Sequence, residues 1–242
     1  MNQDLSLELW QELGAEVVLQ PRYACLFSGI PHAHFNKVAL QPHVEPDREL
    51  IHEICKRFKE KNLPFNWMIP QSLESPMLQT ALADESLHPA TELIRMSIRL
   101  YSPHPFLQHP TLHVVRADTE EQLHAALKVY SECYQICPEQ AKAHFKFSPK
   151  ARFQFYLATF ADKPVGCGSL LLGKDSATIF NIGTAPCARN QGVASQMVKA
   201  LLQDALNAGY TTALLNAMPR ALNIYAKAGF TEVARYQLYV ST

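Results

Sequence analysis

The chain has 242 residues, of which 48% are hydrophobic and 18% are charged, and its 22 basic residues balance its 22 acidic residues. This composition is typical of a globular protein that is long enough for two domains. The even charge balance and the lack of a basic patch argue against nucleic-acid binding. No run of about 18 apolar residues predicts a membrane span, and the N-terminus lacks the basic and apolar regions of a signal peptide.

The cysteines and histidines do not form a metal-binding or disulfide framework. Six cysteines in a chain of this length are too few for a disulfide scaffold. Cys133-x-x-x-Cys137 has no second pair at metal-binding spacing, and the histidine pairs lack acidic or cysteine partners, so we expect no metal site. Free thiols are the usual state in a reducing cytoplasm, so we expect a cytoplasmic protein.

Residues 1–103 are predicted to alternate between strands and helices. Leu50, Ile54 and Phe58 form the apolar face of a helix over residues 49–61. The other predicted elements are strands at 35–40, 65–69 and 93–100 and a short helix at 76–83. Residues 102–105, Ser-Pro-His-Pro, have the composition of a linker.

Several local signals follow the linker. Residues 112–116 have the composition of a strand, and Thr119-Glu120-Glu121-Gln122 forms a capping box at the start of a helix. Residues 153–160 and 165–172 are predicted to form a hairpin, with Asp162-Lys163-Pro164 at its turn. The later predictions are strands at 177–184, 212–215 and 230–240 and a short helix at 221–228.

A basic loop with one glycine connects the strand at 177–184 to a helix of about four turns. The apolar residues of that helix recur every four positions, at Val193, Met197, Leu201 and Ala205. The loop presents backbone N–H groups at the positive end of the helix dipole, which predicts an anion site suited to a pyrophosphate. The three-glycine dinucleotide motif and the P-loop are both absent. An ordinary strand–helix turn with a solvated Arg189 would have the same local pattern.

Two motifs in this half resemble the GNAT acetyltransferase superfamily. Arg189-x-x-Gly192-x-Ala194 is similar to its acyl-CoA signature, and Ala221-x-x-x-Tyr225-x-x-x-Gly229-Phe230 is similar to its second motif. The two occur in the family's order and at a family-like separation. The resemblance implies that residues 111–242 form a GNAT acetyltransferase domain with the acyl-CoA N-acyltransferase fold, an α/β (mixed α+β) architecture around a mixed sheet.

The resemblance also implies a reaction and a set of site residues. GNAT enzymes transfer an acetyl group from acetyl-CoA directly to an amine. The strand backbone at Ile182, Gly183 and Thr184 would pair with the pantetheine amides. Tyr225 would be the general acid that protonates the leaving thiolate, and the alternative is a packing tyrosine on an amphipathic helix. The loop residues expected to bind acetyl-CoA are Arg189, Asn190, Gln191, Gly192, Val193, Ala194 and Ser195.

Two positions depart from the family pattern. The family often has Asn seven residues before the tyrosine, where this chain has Met218, and Asn216 or backbone groups could substitute. The family often has Glu on the strand before the loop, but residues 177–184 contain no acid, and Asn181 is the nearest polar residue. The base is therefore open: water, a carboxylate from the N-terminal half, or an amine that arrives neutral would each serve.

Residues 1–103 resemble the degenerate N-terminal lobe of two-lobed, tandem GNAT proteins. Their predicted strand–helix–strand–helix–strand order repeats the order of residues 178–240. The stretch that corresponds to the CoA loop, residues 41–47, has no glycine, and Glu45 and Asp47 would repel phosphate. We therefore expect this lobe to bind no CoA and either to stabilise the protein or to form a wall of the acceptor pocket.

The leading hypothesis is an N-acetyltransferase that acts on a primary amine of a small molecule or a peptide. A catalytically weak or inactive acyl-CoA-binding or regulatory module is the alternative, favoured by Met218 and the missing glutamate. A third hypothesis is a purely structural pair of lobes with an empty loop. We expect no nucleic-acid or membrane partner, and a monomer or homodimer.

Overall fold

The computed structural model describes residues 10–11, 13–41, 43–101, 111–146 and 152–241. The chain divides into two compact units, one of Met1–Ile94 with Ala234–Thr242 and the other of Arg95–Val233. Two strands, β5 (Leu87–Arg99) and β11 (Thr231–Ser241), contain the points of division. The predicted domains 1–103 and 111–242 stay a prediction, and the predicted linker at 102–105 lies outside the described residues.

The first unit combines antiparallel strands with one parallel pair. β1, β2 and β3 are antiparallel neighbours, β3 is parallel to β4, and β4 is antiparallel to β11. Helix α1 connects the parallel pair, and its predicted apolar face is buried against β4. These elements are β1 (Glu16–Leu19), β2 (Tyr23–Phe27), β3 (Lys37–Leu40), β4 (Asn66–Pro70), α1 (Arg48–Glu60) and α2 (Pro76–Asp84).

β1 and β2 were not predicted from the sequence, and β3 begins two residues later than predicted. The predicted strand at 35–40 begins only at Lys37, because Phe35 ends a 3₁₀ turn (Ala33–Phe35) and Asn36 serves as a loop clamp. The buried Asn36 side chain accepts a hydrogen bond from the N–H of Ser28 at 2.9 Å and donates to the carbonyl of Pro64 at 2.8 Å. A buried amide needs such partners, and they come from distant parts of the sequence.

The second unit is built on five strands in the order β10-β9-β8-β7-β6. β6 to β9 are antiparallel neighbours, and β9 is parallel to β10. The predicted capping box is present at Thr119, ahead of α3. The elements are β6 (Leu112–Arg116), β7 (Phe153–Phe160), β8 (Lys163–Leu172), β9 (Ala177–Thr184), β10 (Thr212–Ala217), α3 (Glu120–Tyr134), α4 (Pro138–His144), α5 (Val193–Asn207) and α6 (Leu222–Lys227). This is the mixed α/β architecture that the sequence predicts.

The hairpin of β7 and β8 turns earlier than predicted. Phe160 pairs with Lys163, so the turn consists of Ala161 and Asp162, which have φ angles of 47° and 62°. Two left-handed residues match the twist of a two-residue hairpin. Pro164, predicted in the turn, instead lies in β8 beside a bulge of that strand, where the loss of a ladder N–H is tolerated.

Helices α3 and α5 cover opposite faces of the second unit's sheet. A Cβ atom placed on Gly168 would lie 2.9 Å from the side chain of Met197 on α5. A Cβ atom placed on Gly183 would instead lie 3.0 Å from the sulfur of Cys133 on α3. Both glycines therefore permit close packing of a helix on the sheet. The predicted apolar residues of α5 are all buried.

Candidate active site

The parallel strands β9 and β10 separate part-way along their length. Their last paired residues are Ile179 and Leu215, but β9 continues to Thr184 and β10 to Ala217. A register shift of β8 against β9 accompanies the separation, and Asn181 there has a left-handed φ of 56°. An extra residue of this kind bends a strand and ends its pairing. The bulge therefore accounts for a gap at the end of β9.

The hydrogen bonds of β9 to β8 fix which backbone groups face this gap. The N–H of Ala185 donates to the carbonyl of Val165 at 2.8 Å. In a trans peptide the C=O and N–H point in opposite directions, so the carbonyl of Thr184 points away from β8. Gly183 lies two residues back in the same ladder, so the carbonyl of Ile182 also points away from β8. Ile182 and Thr184 thus present peptide groups to the gap, whereas Gly183 directs its own toward β8.

Tyr134, which the sequence analysis missed, reaches the gap from the last residue of α3. Its hydroxyl donates a hydrogen bond to the carbonyl of Ile182 at 3.2 Å, and its ring packs on Tyr130 with centroids 4.8 Å apart. Burial, with a smaller contribution from the Tyr225 phenol among other neighbours, raises the pKa of Tyr134 well above its usual range. No local signal marks this residue, because its partner lies 48 positions away.

The predicted anion loop leads from β9 into α5. Asn190 and Gly192 have left-handed φ angles of 62° and 80°, and Gly192 is the N-cap residue. No side chain of the described residues caps this helix. No atom lies within 4 Å of a Cβ placed on Gly192, so the space beside this residue is open. Uncapped N–H groups at the start of a helix suit an anionic ligand.

The predicted loop residues differ in what they offer to a ligand. The side chain of Val193 is buried and contacts the position a Cβ would take on Gly166, so only its backbone can face a ligand. The Gln191 side chain donates to the carbonyl of Cys187 at 3.2 Å and thereby braces the loop. The loop residues that are exposed are Arg189, Asn190, Gln191, Gly192 and Ser195, and Ala194 is half-buried.

The corresponding helix of the first unit begins differently. α1 follows β3 as α5 follows β9, but its N-cap is Asp47, whose carboxylate accepts the N–H of Leu50 at 2.8 Å. The same carboxylate pairs with Arg22 at 2.7 Å. The hydrogen bond from the Leu50 N–H has the largest effect in lowering the pKa of the Asp47 carboxyl, and the hydrogen bond from Arg22 lowers it further. The chain's own carboxylate therefore lies at the place where an anionic ligand would bind.

Tyr225 lies on α6 and is 7% exposed. Burial raises the pKa of its phenol to about 12. Its ring makes an edge contact with Phe230 at 6.1 Å, and Gly229 ends the helix with a φ of 97°. Of the motif residues, Phe230 therefore packs against the tyrosine.

Met218 and Asn181 lie at the two places where the sequence departs from the family pattern, and each has a defined surrounding in the structure. Met218 is half-buried and precedes the 3₁₀ turn Pro219–Ala221. Asn216 accepts a hydrogen bond from Arg95 at 3.2 Å, and the Asn181 side chain donates to Ser169 at 2.9 Å. Within the described ranges, no group of three or more His, Cys, Asp or Glu side chains is placed to hold a metal ion.

This part of the chain therefore combines a mixed sheet, separated parallel strands and an uncapped helix start. Residues 113–230 match the model of the Acetyltransferase (GNAT) family.

Solved structures share this fold across nearly the whole chain. A GCN5-related N-acetyltransferase from Kribbella flavida has a TM-score of 0.71 at 17% identity, over 98% of this chain and 93% of its own. One from Sphaerobacter thermophilus has a TM-score of 0.68 at 14% identity, over 98% and 84%. A tandem GNAT protein from the clavulanic acid biosynthesis pathway has a TM-score of 0.60 at 14% identity, over 93% and 81%. At these identities the likeness concerns the fold alone. None of the curated proteins compared with the sequence matches it.

In the part of the chain that the structure describes, no helix is long and apolar enough to cross a membrane.

Proposed function

We propose that the protein is an acetyl-CoA-dependent N-acetyltransferase that acetylates a primary amine of a small molecule or peptide by direct attack. The observation that carries the proposal is the gap beside β9, which ends at the uncapped start of α5. An extended ligand with amides at one end and a pyrophosphate at the other would satisfy both features. Acetyl-CoA is such a ligand, and it would supply an already activated thioester.

The chain's own residues would then do the binding. Ile182 and Thr184 offer peptide groups for strand-like pairing with the pantetheine amides. Exposed Arg189 and the first N–H groups of α5 offer positive charge and donors for the pyrophosphate. The first unit would not bind a second CoA, because Asp47 occupies the equivalent helix start.

Tyr225 is our candidate general acid. A pKa of about 12 keeps its phenol protonated at neutral pH, so it can donate to the leaving sulfur. Complete proton transfer to an alkyl thiolate, whose acid has a pKa of about 8.5, is unfavourable at that difference. We therefore expect the phenol to act mainly as a hydrogen-bond donor that stabilises the developing thiolate.

The base is not supplied by β9, whose polar Asn181 side chain is bonded to Ser169. Water, a carboxylate of the first unit, or an acceptor that arrives as a neutral amine would each complete the reaction. The alternative function, an acyl-CoA-binding or regulatory module without turnover, is favoured by this missing acid and by Met218. The proposal keeps the cytoplasmic location expected from the free cysteines.

Acetyl-CoA binding and turnover separate these functions. We expect saturating acetyl-CoA to raise the melting temperature and a panel of primary amines to include a substrate that releases free CoA. Binding without turnover on a broad panel would favour the binding module. The absence of any thermal shift with acetyl-CoA or CoA would refute both.

The role of Tyr225 is tested by its conversion to phenylalanine. Tyr225→Phe removes the phenol donor but keeps the packing against Phe230, so kcat should fall by more than the affinity for acetyl-CoA. Tyr101→Phe is the matched control, because that phenol is 78% exposed. An unchanged kcat in Tyr225→Phe would leave the tyrosine with a packing role only.

A further inference from the structure

Two cysteine thiols meet beneath the strand segment that borders the gap. Cys133 lies on α3 and Cys167 on β8, and their sulfurs are 3.0 Å and 2.8 Å from the position that a Cβ would take on Gly183. The two thiols therefore lie against the same point, one from the helix and one from the sheet. The absence of a side chain at Gly183 therefore leaves the room in which they meet.

The two sulfurs differ in access and in charge. Cys133 is partly exposed, whereas Cys167 is completely buried. The neighbouring Cys167 thiol and, to a smaller extent, the charge of Arg189 lower the pKa of Cys133 against the effects of burial and Glu132. The neighbouring Cys133 thiol and burial raise the pKa of Cys167, whose thiol donates a hydrogen bond to the carbonyl of Asn181 at 3.3 Å. Cys133 is therefore the nucleophile of the pair and Cys167 its proton-bearing partner.

We propose that Cys133 and Cys167 are an oxidation site, at which a peroxide converts the two thiols to a reversible disulfide that disturbs the end of β9. The sulfur of Cys133 attacks one oxygen of hydrogen peroxide, the O–O bond breaks, and one water leaves. The sulfur of Cys167 then attacks the resulting sulfenic acid, the S–O bond breaks, and the Cys167 proton leaves with the second water. Two thiols are oxidised and one peroxide is reduced to two waters.

The disulfide would act on the gap through its immediate neighbours. An S–S bond is about 2.05 Å long, so the two sulfurs must close to that length while they lie against Gly183. Tyr134, next to Cys133 on α3, donates to the carbonyl of Ile182. Movement of the end of α3 therefore shifts both contacts of the strand that is proposed to bind pantetheine. This second step rests on the proposed function, whereas the formation of the disulfide does not.

The experiment maps the disulfide in the full-length protein. The folded protein is treated with hydrogen peroxide, blocked with N-ethylmaleimide, and digested without reductant for mass spectrometry. We expect a cross-linked peptide pair joining Cys133 to Cys167 that dithiothreitol removes. The same pair should form in the control variants Cys137→Ser and Cys187→Ser, which alter the two exposed cysteines. A Cys133–Cys137 link, or a sulfinic acid on Cys133 with an intact Cys167 thiol, would overturn the proposal.

The effect on the gap has a separate readout. Acetyl-CoA should raise the melting temperature of the reduced protein and raise that of the oxidised protein much less. After the oxidised protein is treated with dithiothreitol, acetyl-CoA should again produce the full rise in melting temperature. Equal shifts in both forms would refute the coupling. No shift in the reduced form would refute the proposed function, while the mass-spectrometric result still decides the disulfide. Cys167→Ala should abolish both the cross-link and the difference in melting shift between the reduced and oxidised protein. Mass-spectrometric mapping of the disulfide uses the unaltered chain, so it does not depend on whether this variant folds.

Discussion

Replacing Gly192 with aspartate places one negative charge at the start of α5, where we propose that pyrophosphate binds. The structure predicts a small folding penalty. No atom lies within 4 Å of the new Cβ, so the cost is that of a left-handed residue at a φ of 80°, about 1–2 kcal/mol. Aspartate is also a favourable N-cap residue. The variant should therefore fold, and its defect should lie in binding.

The binding penalty follows from Coulomb's law. Two like charges about 5 Å apart at an effective dielectric constant of about 20 repel by about 3 kcal/mol, which corresponds to roughly a hundredfold loss of affinity. At an acetyl-CoA concentration of about 100 times the wild-type Kd, the ligand stabilises the wild type by about 2.7 kcal/mol and the variant by about 0.4 kcal/mol. For a chain of this size these values correspond to melting shifts of roughly 5–11 °C and 1–2 °C.

The assay is a thermal melt with and without acetyl-CoA, supported by calorimetric titration. Gly209→Asp is the matched control, because Gly209 also has a left-handed φ, of 88°, and an open Cβ position, but follows the other end of α5. The control should bind as the wild type does. Equal acetyl-CoA affinities for Gly192→Asp and Gly209→Asp would refute the placement of the anion site.

Two further predictions concern stability. Gly183→Ala should lower the free energy of unfolding by about 1–3 kcal/mol, because the added methyl would lie 2.8 Å from the sulfur of Cys167. Chemical denaturation measures this penalty in the wild-type and in a Cys167→Ala background. A smaller penalty in the Cys167→Ala background would support this cause, and an equal penalty would contradict it. Asp47→Ala should cost about 1 kcal/mol at pH 7 through loss of the helix cap. Because folding lowers the pKa of Asp47, its contribution is present above the unfolded pKa of about 3.9 and is lost as the pH falls below that value, so wild type and variant should converge in acid. A stability difference that persists undiminished in acid would exclude the carboxylate as its source.

Elements with complete local signals could be predicted from the sequence. Leu112–Arg116 and Phe153–Phe160 have the predicted bounds, and the Thr119 capping box fixes the start of α3. Such signals lie within a few residues of one another. By contrast, Pro164 was assigned to a turn, because residue type alone does not reveal the bulge of β8 that admits a proline into a strand.

The candidate site could be predicted only where its residues are contiguous in the sequence. The loop before α5 is contiguous, so Arg189 to Ser195 could be proposed together as a binding loop. The contact of Tyr134 with Ile182 and the meeting of Cys133 with Cys167 depend on how α3 packs on β9. The nearest cysteine to Cys133 in the sequence is Cys137, four residues away. Packing brings together residues whose sequence separation carries no information about distance.

The two helix starts at Asp47 and Gly192 show how similar halves can divide stability and ligand recognition between them. An aspartate cap stabilises a helix by about 1 kcal/mol relative to alanine and by only a few tenths of a kcal/mol relative to glycine. In the first half the Asp47 carboxylate accepts one of the N–H groups at the helix start. In the second half Gly192 leaves these N–H groups without a side-chain cap, at little cost in folding free energy. If the proposed site is correct, this small loss of stability is what keeps donors available for a ligand at α5.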